Sequence, residues 1–299
     1  MMALGATILA CTPSAERRAP RAEQPPSAER RGPSTDPQAT RNDSLLVVAR
    51  AAYEQTPDNA DSIIWLGRRT AYLGHYDSAI AIYGGGIALH PDDARLYRHR
   101  GHRYISTRRF TGAIADLERA AELIDGHPDQ VEPDGLPNAR NIPTSTLQSN
   151  IWYHLGLARY LTGDFTGAAR AYERGLAVSA NPDMLTAMSY WLYLARRRQD
   201  EASAAGRVLA AVRPDFDIIE NHAYHRLMML YQGRLPVDSL LPPADSLSLE
   251  DVTTAYGVGM WHLLAGRHAE ARRMFRRITA AESQRAAFGY IAAEAELRR

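Results

Sequence analysis

All 35 basic residues of this chain are arginines; lysine is absent, which we read mainly as the codon bias of a GC-rich genome. A guanidinium is planar, always charged and pairs bidentately with carboxylates, so arginine is the residue for gripping an anionic group. Arg98, Arg100 and Arg103, with His99 and His102 between them, either do this or form a solvated face paired with acids around Asp116 and Glu118. His222 and His225 share a helical face, as do His99 and His102, but no third ligand stands at diagnostic spacing, so no metal site is expected. The single cysteine, Cys11, excludes an intrachain disulfide and a thiolate zinc site. Phosphate loop, serine elbow and metalloprotease motifs are all missing. Gly84-Gly85-Gly86 falls inside a helical pattern, where each glycine costs about 1 kcal/mol relative to alanine. The residue chemistry therefore points to binding without catalysis or cofactor.

The elements that carry these residues repeat. Four segments pair a turn with an alanine: Gly74 to Ala79, Arg108 to Ala113, Gly163 to Ala168 and Gly266 to Ala271, with a degenerate fifth from Arg198 to Ala202. Ala79 to Ala113 is 34 residues, and so is Ala168 to Ala202. That is the tetratricopeptide period. The positions agree: a small residue in the first helix, alanine in the second, then an aromatic and a terminating proline, as in Gly67, Ala79, Tyr83 and Pro91. The chain thus resembles the tetratricopeptide repeat (TPR) superfamily, which implies an all-α, right-handed helical-hairpin solenoid over residues 44–299. Full repeats are expected at 60–93, 94–127, 149–182, 183–216 and 252–285, with a lone helix from Ser44 to Gln55 and a closing helix from Ala286 to Arg299.

In that family the first helix of each hairpin, helix A, lines a concave groove. The resemblance places Arg68, Tyr72, Arg95, Arg98, His102, Asn150, Tyr153, Tyr160, Trp191 and Tyr256 there. Arginines at one end and aromatics along the rest suit an extended protein or peptide segment bearing acidic or carboxylate groups. The rings could equally be packing residues.

Two proline-rich insertions break the array, at 126–148 and 234–250. In the first, Leu136, Ile142 and Leu147 offer apolar anchors, so an ordered loop is expected. A small-ligand or enzyme pocket beneath it, using Asn150, His154, Asn221 and His225, is the alternative function. In the second, Pro236, Pro242 and Pro243 leave room for a stunted helix such as Val237 to Leu241.

The N-terminal part has its own logic. Residues 1–10 are apolar or small, and Ile8-Leu9-Ala10-Cys11 resembles a bacterial lipobox, which implies acylation at Cys11. Residues 12–43 contain six prolines among Ser, Glu and Arg and no large aliphatic or aromatic side chain, a composition expected of a disordered tether. A lipid-anchored protein of the bacterial cell envelope is expected, facing the periplasm or the surface; a cytoplasmic adaptor is the alternative. The net charge of +1 gives nucleic acid no electrostatic footing.

Overall fold

Helix A of every hairpin starts on a side chain that accepts a backbone N–H. Asn59, Asp93, Thr146, Asn181 and Ser248 accept from Ser62, Arg95, Ser149, Met184 and Asp251. Each satisfies a donor that the first helical turn leaves unpaired. The computed structural model describes residues 37–133, 135–240 and 247–299. Cys11 and most of the expected tether lie outside the described residues. Those residues form an all-α solenoid of thirteen α-helices.

The hairpins are α2 (Ala60–Tyr72) with α3 (Tyr76–Leu89), α4 (Ala94–Ser106) with α5 (Phe110–Leu123), α6 (Leu147–Thr162) with α7 (Phe165–Val178), α8 (Pro182–Arg197) with α9 (Ala202–Ala211), and α11 (Leu249–Leu264) with α12 (His268–Thr279). The turn inside each hairpin needs one residue of positive φ, which explains the conserved spacing of the turn motif along this chain. Gly74, Gly163 and Gly266 supply it without strain, whereas Arg108 (φ 62°) and Asp200 (φ 59°) adopt it as non-glycines. Within the hairpins helix A carries a glycine, against which a side chain sixteen positions later packs: Gly67 with Tyr83, Gly101 with Leu117, Gly156 with Tyr172 and Gly259 with Phe275. The α8–α9 hairpin departs from this. Its slot holds Tyr190, whose ring instead stacks toward Tyr224 and Tyr231 of α10 (His222–Tyr231).

Several boundaries differ from the sequence expectation. The first helix, α1, spans Pro37–Gln55 and so begins inside the expected tether. Proline is tolerated in a first turn, whose N–H groups have no intrahelical partner, and Asn42 and Ala49 are buried. Helix α10 starts only at His222, because Asp183 accepts the backbone N–H groups of Ile219, Glu220 and Asn221 at 2.8–2.9 Å. Its missing helix B is reduced to a 3-10 turn, Val237–Leu240.

The first insertion is ordered, but only one of its three expected anchors is buried. Leu147 is buried, while Leu136 and Ile142 are exposed. Polar contacts hold it instead, as a strap across the solenoid. The Gly135 carbonyl accepts from Arg69 of α2 at 2.8 Å, Asn181 at the start of α8 donates to the Thr144 carbonyl at 2.7 Å, and Arg140 pairs with Asp217 at 2.9 Å. A backbone interrupted by four prolines cannot satisfy itself through a helical ladder, so side chains of its neighbours do so.

The last helix, α13 (Phe288–Arg298), does more than close the final hairpin. It returns to the middle of the array and packs on α6 as well as on α11 and α12. Glu294 pairs with Arg108 at 3.0 Å, and Glu296 pairs with Arg198 at 2.6 Å. Arg299 donates to the carbonyls of Tyr160 and Leu161, capping the C-terminal end of α6. The concave face is therefore covered at the C-terminal ends of its A helices by α13 and at several of their N-terminal ends by the strap.

Candidate functional site: a basic cavity and groove under the strap

Between these two covers lie adjoining cavities that share Ser145 and Asn150 in their walls. The first, of about 190 Å³, is lined by Arg68 from α2, Arg98, His99, His102 and Arg103 from α4, and Glu132 from the strap. Glu132 is the one carboxylate among its described lining residues. Its carboxylate approaches Arg98 Nε at 3.0 Å and His99 Nε2 at 3.6 Å and accepts a hydrogen bond from Asn150 Nδ2 at 3.0 Å. Arg98 Nε is buried and its N–H is not aligned on that carboxylate, so the pair is a charge contact rather than a directed bond. Arg68 is buried with its guanidinium over the Trp65 ring at 4.5 Å and a long contact, 3.4 Å, to the Tyr72 hydroxyl. Arg103 lies over the Tyr76 ring at 5.5 Å.

Burial shapes the charge of this cavity. Desolvation pulls Arg98 and Arg103 below the ordinary arginine range. The imidazoles of His99, His102 and His154 are driven well below 6.5, first by burial and then by the neighbouring guanidiniums, so all three are neutral near pH 7. Their tautomers follow from their partners. Arg98 Nη1 donates to His99 Nδ1 at 3.0 Å, and His154 Nδ1 donates to the Asn150 carbonyl at 2.6 Å.

The second cavity, of about 490 Å³, continues along the concave face between α6, α8, α10 and α11. Tyr153, Ala187, Tyr224, Thr253 and Phe288 line it, with Glu220 at the strap side. Thr144 and Asn138 of the strap donate to Glu220 at 2.6 and 2.8 Å. Phe288, from α13, wedges against His102, Tyr153 and His154, with ring centroids 5.3–6.2 Å apart.

The structure brings Arg68, Tyr72, Arg98, His102, Asn150 and Tyr153 to this connected space. Tyr160, Trp191 and Tyr256 it removes. They are 0%, 1% and 1% exposed. Tyr256 donates to the Tyr160 hydroxyl at 3.2 Å, and Trp191 Nε1 donates to the Tyr153 and Tyr224 hydroxyls at 3.1 and 3.3 Å. These rings are core because they pack on one another and on Tyr190 and Tyr224 across α6, α8, α10 and α11.

The alternative pocket assembles only in part. Asn150 and Asn221 both line the second cavity, with the Asn221 amide held on the Asp183 carbonyl at 3.2 Å. His154 bonds within α6 to the Asn150 carbonyl, and His225 Nε2 turns to the Arg213 carbonyl at 2.9 Å. Two participants were missed in the sequence. Arg103 stands outside the groove positions that the resemblance assigns, and Glu132 carries no local sign that it meets a guanidinium across the groove.

The interlock of an A-helix glycine with a B-helix side chain recurs in four hairpins, with Gly67 and Gly101 34 residues apart. The architecture is that of a tetratricopeptide-type solenoid. No family model matches the chain. The Hsp70-Hsp90 organizing protein of Triticum aestivum is 30% identical over 128 residues, which is 43% of this chain and 18% of that protein. This chain therefore corresponds to less than a fifth of that relative's length. Among solved structures, the TPR protein YrrB, described as having an unusual peptide-binding site, is 13% identical, with 85% of this chain and 100% of that one covered at a TM-score of 0.45. A tetratricopeptide repeat protein from Parabacteroides merdae is 14% identical, with 84% and 92% covered and a TM-score of 0.48.

Proposed function

We propose that this protein is a non-catalytic scaffold that holds a segment of a protein or peptide partner in the roofed concave groove. The partner's acidic group lies toward Arg68, Arg98 and Arg103, and its apolar side chains lie against Tyr153, Ala187, Tyr224 and Phe288. One observation carries this reading: among the described lining residues, three guanidiniums face a cavity of about 190 Å³ against a single carboxylate. Buried charge of one sign is costly unless an opposite charge completes it. The open end of the second cavity gives an extended segment its path.

The test is fluorescence anisotropy of the whole chain against labelled peptides matched in length and apolar content. Acidic peptides should bind and their amidated counterparts should bind at least tenfold more weakly, with Arg98→Gln removing the difference. Equal binding of acidic and neutral peptides would refute the arginine end of the groove.

The same proposal places the scaffold at the bacterial cell envelope, held by a lipid on Cys11 and facing the periplasm or the surface. Support comes from the lipobox-like Ile8-Leu9-Ala10-Cys11 and the proline-rich stretch that follows. Intact mass and membrane fractionation check it: an acylated chain beginning at Cys11 agrees, and an unmodified soluble chain beginning at Met1 makes it a cytoplasmic adaptor.

A further inference from the structure

The charge balance of the first cavity asks for more than a carboxylate. Its described lining residues hold three arginines, one glutamate and two histidines, His99 and His102, that burial keeps neutral. Two positive charges are left over after Glu132 is counted. A carboxylate ligand would cancel one of them and leave the other buried. A phosphate monoester carries close to two negative charges near pH 7 and three acceptor oxygens.

The donors also suit it in shape. They arrive from α2 on one side and from two positions five residues apart on α4, so the cavity offers donors from more than one element. Arg98 is only 7% exposed, faces the cavity and has an Nε–H with no hydrogen-bond partner. Asn150 Nδ2 is already placed to donate to an anionic oxygen, since it does so to Glu132 at 3.0 Å. About 190 Å³ corresponds to roughly six waters at their liquid volume, enough for a phosphoryl group and the first atoms of its ester.

We propose that the cavity formed by Arg68, Arg98, Arg103 and Asn150 under the strap binds a dianionic phosphoryl group, and that Glu132 is its intramolecular competitor. The inference deepens the scaffold reading, because it names the chemistry of the anionic group at the arginine end. Glu132 occupies one guanidinium in the unliganded chain. It offsets part of the cost of holding three like charges in one cavity and sets a threshold that a singly charged ligand overcomes less readily than a doubly charged one. When a phosphoryl group enters, the Glu132 carboxylate leaves Arg98 for solvent, and the strap around Pro133 moves with it. The Glu132 side chain is only 11% exposed, so its departure also breaks its contacts with His99 and Asn150.

The experiment is isothermal titration of the full chain with inorganic phosphate, acetate, a short phosphoserine peptide and the same peptide with glutamate in place of phosphoserine. Phosphate and the phosphopeptide should bind at least tenfold more tightly than acetate and the glutamate peptide. Arg68→Gln and Arg103→Gln, shown by circular dichroism to be folded, should each weaken phosphate binding at least tenfold. Glu132→Gln should strengthen it several-fold, an effect that a merely structural loss cannot produce.

A phosphopeptide that binds tenfold more tightly than free phosphate assigns the group to a partner protein. Equal binding assigns it to a free phosphate or small phosphoester, and both results support the phosphoryl site. The proposal is overturned if acetate binds as tightly as phosphate, or if Arg103→Gln and Glu132→Gln leave phosphate binding unchanged. Should the glutamate peptide bind the groove with phosphate unable to compete, the scaffold reading stands and this one falls.

Discussion

An alanine at Gly156 should destabilise the protein, whereas an alanine at Gly85 should stabilise it. Both glycines sit inside helices, so both substitutions recover about 1 kcal/mol of helix propensity. They differ in what a new methyl group meets. At Gly156 it would lie 2.6, 2.7 and 2.8 Å from three ring atoms of Tyr172, a residue with no exposed surface and nowhere to retreat. Contacts must open by about 1 Å, and overpacking of this kind costs about 1–3 kcal/mol. At Gly85 nothing lies within 4 Å, so the propensity gain stands alone. The net effects are about 1 kcal/mol of loss for Gly156→Ala and about 1 kcal/mol of gain for Gly85→Ala. At this chain length each corresponds to roughly 2–4 °C in melting temperature, with opposite signs. Urea denaturation followed by circular dichroism measures both. If Gly156→Ala is as stable as the unchanged protein, the glycine–tyrosine interlock is not what sets the spacing within the hairpin.

Two further outcomes follow from buried charge. His99 and His154 titrate below 6.5 in the folded chain, so the unfolded chain binds more protons just beneath that pH. Stability should be full above about pH 6.5 and fall below it by up to about 1.4 kcal/mol per pH unit for each histidine. Urea midpoints at pH 7.5 and 5.5 read the slope, and a His154→Gln variant should flatten it. Glu296, with a 2% exposed side chain, holds both Arg198 and Arg299 at 2.6 Å. Glu296→Gln should cost about 2 kcal/mol, below the full value for a buried pair because both arginines keep some water contact. Limited proteolysis should then release α13 first; cleavage elsewhere would contradict its placement.

The repeat was legible because it is local: a glycine or its substitute at each turn, alanine five residues later and a 34-residue return can all be counted along the chain. Caps at Asn59, Asp93 and Asn181 are of the same kind. What escaped was long-range. Nothing near Phe288 or Glu296 says that the last helix returns to meet His102 and Arg198. Tyr160, Trp191 and Tyr256 stand at groove positions of their repeats, but ring contacts across α6, α8, α10 and α11 make them core. The strap misled in a similar way, since Leu136 and Ile142 looked like anchors while the work falls to Glu132, Thr144 and the backbone carbonyl of Gly135. Arg98 was found for a sound reason, its place on helix A, but Arg103 shares the cavity through a turn of the same helix and was set aside.

Hydrogen–deuterium exchange of the full chain with and without a bound acidic or phosphorylated peptide tests the central claim most directly. The account predicts new protection in the first half of α6 around Asn150 and Tyr153 and in α4 around Arg98 to Arg103, with altered exchange in the strap at Gln130 to Pro133. Protection confined to the outer helices α3, α5 and α7, with α4, α6 and the strap unchanged, would contradict it.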